Sequence, residues 1–362
     1  MNPEQRILVI QTAFLGDLIL MTPLLKRLRL LYPQHRLHVV TRSGLSEILI
    51  SSQLADHVHE VKKGSRASYA QLLKHFRQTT QPHGFDLILC VHESPRSQLF
   101  ARRIPAQRRI AFQNWWNFFL FQDRVKKPHL KPEALRQLSI LSPLDFELLP
   151  KIQSYPDAGA PPFLTIPEWA SLSIRERVPD LSKRFVTQRG SLSGAIALFP
   201  GSVWATKQWT ESGFIEVASF WRKQNRRVLI LGSPQERELC QRIAQASHSE
   251  CWAGEFSLWE LLSILKSIAL VVSNDSGSAH LASLVHTPTV VLFGPTVLQF
   301  GYRPWQDRIK TVENNDLSCR PCGSHGPQKC PLTHHRCMKD IQAQEVIQAA
   351  QSLLDNEKPK RL

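Results

Sequence analysis

Acidic residues are the scarce class in this 362-residue chain: 30 Asp and Glu face 45 Lys and Arg, a net charge of +15. Long apolar runs are missing too. No stretch reaches the roughly 18–20 continuous apolar residues that span a bilayer. The segment Ile7–Leu25 carries Asp17 in its middle and is followed by no small-residue cleavage site, which argues against a signal peptide. No Gly-x-Gly-x-x-Gly fingerprint, no Gly-Lys-Ser/Thr phosphate loop and no Asp-x-Asp pair occurs, so neither of those nucleotide motifs nor a metal bridging a diphosphate is indicated. Short-period repeats and low-complexity tracts are also absent. With 42% hydrophobic and 21% charged residues, the chain is neither disordered nor fibrous, and its length suits two domains.

The positive balance favours an acidic partner, whether nucleic acid, an anionic membrane face or a phosphorylated molecule. Its charges are scattered in small clusters (Lys62-Lys63, Arg102-Arg103, Arg108-Arg109, Lys126-Lys127) rather than gathered in the dense stripe expected of a nucleic-acid binder. In the first half, strands are expected at Ile7–Gln11, Leu37–Thr41, Val58–Val61 and Asp86–Val91, with helices at Asp17–Leu31 and Tyr69–Thr80. Prolines crowd residues 142–167, where a linker is expected, since a Pro-rich segment sustains neither helix nor central strand. The pattern then restarts, with strands at Ala195–Phe199, Arg227–Leu231, Leu270–Ser273 and Thr289–Phe293. Helices are expected at Thr210–Gln224, Gln235–Ala246, Leu258–Lys266 and Ser278–Leu284. Alternating strands and helices imply parallel sheets covered on both faces, hence two doubly wound α/β domains with ligands at the carboxyl ends of the strands.

Three loops follow buried strands. Gly16-Asp17 ends the first, and an N-cap is sufficient reason for an Asp there. The second, Pro200-Gly201-Ser202 to Thr206-Lys207, offers a glycine turn, hydroxyls and an ammonium group before a helix, which suits a phosphate. The third, Ser273-Asn274-Asp275-Ser276-Gly277-Ser278-Ala279-His280, carries more polar side chains than a helix cap requires, although His280 by itself reads as a structural histidine. These loops, with Thr206-Lys207-Gln208-Trp209 and Phe293-Gly294-Pro295-Thr296 in the same order, resemble the lipopolysaccharide heptosyltransferases of glycosyltransferase family 9 over nearly the whole chain.

The resemblance implies a GT-B fold. An acceptor-binding domain would occupy residues 1–165, a nucleotide-sugar domain 166–340, and a terminal helix and tail 341–362, the helix packing back on the first domain. It implies an inverting transfer of heptose from ADP-heptose to the inner core of lipopolysaccharide. Asp17 would be the general base and Lys207 the diphosphate contact. Ser202, Thr206, Glu236, Asp275, Ser276, Gly277 and His280 would line the donor site. Lys62, Lys63, Arg66 and Arg96 are expected to meet an anionic lipid A–Kdo acceptor. No cofactor is expected for catalysis, nor nucleic acid as a partner, and the location implied is cytoplasmic, peripheral to the inner membrane. The cysteine block and the Pro-Gly-Ser loop point toward the second heptose addition. Thr210 and Ser276 depart from the family's usual Pro and Thr. Two other readings compete: a GT-B enzyme with a different nucleotide sugar, and a basic nucleic-acid binder with a zinc knuckle.

Cys319, Cys322, Cys330 and Cys337 have the spacing of a structural zinc site, which spacing alone does not separate from a disulfide or free thiols. Cys90, Cys240 and Cys251 read as small core residues. Trp115-Trp116-Asn117-Phe118-Phe119-Leu120-Phe121 is expected to pack in the core, with a membrane interface as the alternative.

Overall fold

The computed structural model describes residues 5–80, 83–160, 165–180 and 190–355. The chain forms two compact units, the first comprising Met1–Ala160 with Pro167–Leu172 and the second Pro161–Ile166 with Ser173–Leu362. The first unit contains β1 (Arg6–Ile10), β2 (Arg36–Arg42), β3 (His57–Val61), β4 (Phe85–Cys90), β5 (Ala106–Phe112) and β6 (Asp123–Val125). They form one sheet in the order β3-β2-β1-β4-β5-β6, with every pairing parallel. The second unit contains β7 (Ile196–Phe199), β8 (Val228–Ile230), β9 (Glu250–Cys251), β10 (Leu270–Asn274), β11 (Thr289–Phe293) and β12 (Ile309–Glu313). Its order, β12-β11-β10-β7-β8-β9, repeats the same doubly wound topology. Each sheet therefore reverses strand order once, between β1 and β4 and between β7 and β10. Loops diverge there and leave a crevice at the strands' carboxyl ends.

Sequence periodicity located the central strands because they are buried on both faces and read as continuous apolar runs. Strands β5, β6, β9 and β12 escaped it. Strand β5 begins with polar Gln107 and Arg108, while β6 and β9 are three and two residues long. The expected helix from Asp17 to Leu31 is two helices, Leu15–Leu20 and Thr22–Leu31. Pro23 has no N–H for the Ile19 carbonyl, and the Thr22 hydroxyl donates to that oxygen instead, at 2.9 Å.

Three expectations need correction. The proline-rich stretch holds a helix, Leu148–Ser154, with Pro150 in its first turn, where a missing N–H costs nothing. Pro161 and Pro162 lie outside the described residues. The aromatic run is not core as a whole: Leu120 and Phe121 pack inward, whereas Trp115, Phe118 and Phe119 face solvent. The terminal helix, Ala343–Asp355, belongs to the second unit rather than the first. Its buried Val346, Ile347, Ala350 and Leu353 recur at helical spacing and join the core formed by β7, β8, β10 and β11 with the helix Glu211–Lys223. The Trp209 indole N–H donates to the Ile341 carbonyl at 3.2 Å and fixes the approach to that helix. Residues 356–362 lie outside the description. No helix among the described residues is long and apolar enough to cross a membrane.

Gly213 lies in the helix Glu211–Lys223, where alanine ordinarily gains about 1 kcal/mol. A Cβ there would stand 2.3 Å from Cζ2 of the buried Trp209 ring. Overpacking of this kind costs about 1–3 kcal/mol. Gly213→Ala is therefore expected to lower the urea midpoint of the second unit, and a raised midpoint would show that Trp209 moves aside freely.

Candidate active site

At the switch point of the second sheet, Asn274 ends β10 and ties the loop after β7 to it. Its side-chain N–H groups donate to the Pro200 carbonyl at 2.8 Å and the Gly201 carbonyl at 3.3 Å, and its oxygen accepts from the Trp209 backbone at 3.0 Å. With the loop held, the Lys207 ammonium reaches Asp275 Oδ2 at 2.6 Å, and the Thr296 hydroxyl donates to the same oxygen at 2.7 Å. Both partners of the ion pair are largely buried. Asp275 thus holds Lys207 rather than standing apart as a separate donor contact. Lysine carries three N–H donors, so two remain for a ligand.

Ser202 is half-buried, and its oxygen accepts from the Trp204 N–H at 3.4 Å. Thr206 is committed differently, its hydroxyl donating to the Pro327 carbonyl. A hydroxyl has one proton, so in this arrangement Thr206 does not donate to a phosphate. Ser276 forms a hydroxyl chain with Ser278 (2.6 Å), which meets Ser273 (2.8 Å), at the start of the helix Gly277–Leu284. His280 is buried, and desolvation, aided by Lys207 and opposed by the larger pull of Asp275, pushes its imidazole down to about 4. It is therefore neutral at pH 7, as a structural histidine would be. Glu236 closes a capping arrangement, with Oε2 accepting from the Ser233 N–H at 2.7 Å and the Ser233 hydroxyl at 2.9 Å. Gly201 lies against it: a Cβ there would fall 1.8 Å from Glu236 Oε1, so a side chain at 201 would push the Glu236 carboxylate away. Thr210 does the work of a cap: its hydroxyl oxygen accepts from the Gly213 N–H at 3.1 Å, which explains why proline is dispensable there.

In the first unit Asp17 follows β1 at the reversal of strand order. It is not an N-cap but the third residue of its helix, with Oδ2 accepting from the Phe14 N–H at 3.3 Å. Burial first, and then the negative charge of Glu133, raise its carboxyl from 3.8 to about 6, against the pull of the Phe14 N–H and Lys127. Lys127 itself binds Glu93 at 2.8 Å and the buried Glu133 at 3.0 Å. Sequence reading missed this trio. Lys127 stood among surface-like clusters, and Glu133 lies in a short helix whose six residues are all buried. His92, after β4, accepts or donates at Nδ1 to Thr12 (2.8 Å) and Ser97 (2.9 Å), and burial followed by Lys63 pushes it down to about 4. Lys62, Lys63, Arg66 and Arg96 are all exposed, after β3 or β4 at the same carboxyl edge. The Lys63 ammonium stands 4.4 Å from the centre of the Phe14 ring.

Among the described residues no group of three or more His, Cys, Asp or Glu side chains is placed to hold a metal ion, and all seven cysteines are free thiols. Burial first, then the neighbouring Cys322, pushes the Cys337 thiol up to about 11, and Cys322 is raised as well. The cysteine segment braces the loop bearing Lys207. Gln328 accepts from the Ala205 N–H (3.2 Å) and donates to the Val203 carbonyl (3.1 Å), and His335 Nε2 meets the Thr206 carbonyl at 2.8 Å.

Two doubly wound units, an acid after β1 and a braced lysine after β7 define a class, and the comparisons with known proteins agree. The model described as "Glycosyltransferase family 9 (heptosyltransferase)" matches residues 72–331, and the chain belongs to that family. Lipooligosaccharide heptosyltransferase 2 of Campylobacter jejuni is 32% identical over 201 residues, which cover 51% of this chain and 61% of that protein. The enzyme of the same name from Haemophilus influenzae is 23% identical, covering 96% of this chain and 99% of its own. The solved structure of E. coli ADP-heptose LPS heptosyltransferase II shares the fold, with a TM-score of 0.75 at 20% identity over 98% of this chain and 100% of that one. The expected GT-B architecture therefore stands.

A carboxyl raised by burial makes a pH-dependent contribution to stability. The unfolded chain ionises Asp17 near 3.8, the folded one near 6, so the ionised form destabilises the fold above pH 6 and the penalty vanishes below about pH 4. Asp17→Asn is expected to stabilise the protein at pH 8 by up to about 3 kcal/mol, with the gain gone at pH 4. Denaturant melts at both pH values check it, and a gain independent of pH would mean that Asp17 is not desolvated.

Proposed function

We propose that this protein is an inverting glycosyltransferase moving heptose from ADP-heptose to the inner-core oligosaccharide of lipopolysaccharide, acting peripherally at the cytoplasmic face of the inner membrane. The observation that carries the reading is the carboxyl of Asp17, raised to about 6 at the end of β1. A general base is most effective when its proton affinity lies near the working pH, and this one is ionised yet basic at neutrality. Its oxygen would accept the proton of the acceptor hydroxyl as that oxygen attacks the anomeric carbon. The bond from that carbon to the ADP oxygen breaks on the opposite face, which inverts the configuration. Lys207 would stabilise the charge growing on the departing diphosphate, with Asp275 as its positioning residue. Ser202, the Ser276-Gly277 turn and Glu236 would complete the donor site, and Lys62, Lys63, Arg66 and Arg96 would meet the phosphates and carboxylates of the acceptor. Addition of the second heptose is the step favoured, in keeping with the name heptosyltransferase 2 carried by the relatives from Campylobacter and Haemophilus. With no Asp-x-Asp pair in the sequence, transfer is assigned to Lys207 and backbone donors without a metal.

Asp17→Ala is expected to abolish transfer while ADP-heptose affinity stays within a few fold, and Lys207→Ala to weaken donor binding and slow transfer together. Turnover of Asp17→Ala at the normal rate would exclude it as the base, and a neutral Lys207→Ala would remove the lysine from the phosphate site. For the intact enzyme, kcat/KM should fall as pH drops through about 6. Glu133→Gln removes a neighbouring negative charge and leaves Lys127 less neutralised, so this acid limb should move down by roughly half to one pH unit. A limb that stays in place would assign the titration to another group.

A further inference from the structure

Between β5 and β6 the chain passes through Trp115-Trp116-Asn117-Phe118-Phe119, and the one polar side chain in that run is the most deeply buried. Asn117 is 0% exposed. Its amide N–H groups donate to Gln98 Oε1 at 2.8 Å and the Phe112 carbonyl at 2.7 Å, and its oxygen accepts from the Asn114 N–H at 3.0 Å. Leu120 and Phe121 then return to the core. The loop is pinned from within, yet Trp115 is 90%, Phe119 82% and Phe118 50% exposed, and the last two rings lie 4.0 Å apart. Leu99, next to the Gln98 that anchors Asn117, is 44% exposed.

A single apolar side chain in water needs no explanation, but three large aromatics presented by one anchored loop do. Each leaves apolar area in water that burial would have stabilised. Charge supplies the second half of the argument. The loop leaves the carboxyl end of β5, so it shares the sheet edge with the loops bearing Asp17, Lys62, Lys63 and Arg96, and Lys126 follows β6 on that edge, exposed like the last three. Aromatic rings flanked by exposed cations match the interfacial zone of an anionic bilayer, where the surface charge attracts nearby Lys and Arg side chains.

We propose that this loop seats the protein on an anionic lipid surface, with Trp115, Phe118 and Phe119 in the headgroup zone and the basic residues of the same edge against lipid phosphates. The surface stands on its own chemistry. Its link to catalysis rests on the proposed transfer, whose acceptor is lipid-anchored and would be presented at the Asp17 edge.

The test is co-sedimentation of the full chain with phosphatidylglycerol/phosphatidylethanolamine vesicles and with phosphatidylcholine vesicles. The wild type should bind the anionic vesicles and lose them at high salt. Trp115→Ser/Phe119→Ser should bind at least tenfold more weakly with an unchanged far-ultraviolet spectrum. Phe146→Ser, at a site 83% exposed in another loop, should bind as the wild type does. Equal binding by the double variant would overturn the proposal, as would no binding of the wild type to anionic vesicles. A change in sedimentation mass without a change in vesicle binding would also overturn it and make the loop a contact with a second copy. Transfer to a lipid-free acceptor oligosaccharide should be unaffected in the double variant, and its loss would reassign the loop to sugar recognition. Failure of the wild type to transfer heptose would count against the proposed reaction and leave the vesicle result standing.

Discussion

A parallel sheet whose strand order reverses beside its first strand sends two neighbouring chain ends to opposite faces, and the gap between them cannot be filled by regular structure. That constraint acts twice in this molecule, at β1/β4 and at β7/β10. Backbone groups at those ends must find partners in loops, so polar side chains collect there. Asn274 is the clearest case, with one amide satisfying two carbonyls and one N–H of the facing loop. Removing the apolar strands would remove the reason for this concentration of polar chemistry.

The two switch points manage charge in opposite ways. In the second unit a buried ammonium is matched at once by a buried carboxylate, itself further satisfied by Thr296, so the pair is rigid and aimed. Buried pairs of this kind contribute little net stability, but breaking one is expensive, which holds the lysine in place. In the first unit the acid is left only partly compensated. Lys127 spends its charge on Glu93 and Glu133, and Glu133 acts back on Asp17, so the carboxyl keeps a raised proton affinity. One site holds a cation still, and the other keeps a carboxyl of raised proton affinity.

Much of this was legible in advance, for physical reasons that differ by residue. Central strands such as Leu270–Asn274 announce themselves because burial on both faces demands an uninterrupted apolar run. Glycine-bearing loops after such runs marked both crevices, and Gly201 lies close against the Glu236 side chain. Lys127 and Glu133 were not legible, since a charged residue in a chain carries no sign of whether it ends inside or outside. The cysteine spacing constrains reach but not direction, and it gave no sign that the same segment would set Gln328 and His335 against the Lys207 loop. The aromatic run misled for the converse reason: hydrophobicity favours burial only where the backbone can turn inward, and Asn117 occupies that inward position.

Local composition was enough to set the class of the fold and the order of the three polar loops, because each depends on periodicity or on a residue's own backbone preference. Tertiary structure alone decided which charges pair, which unit receives the helix Ala343–Asp355, and which aromatics remain in water. Those outcomes depend on residues far apart in the chain arriving at the same place, and such meetings are encoded in packing geometry rather than in any one segment.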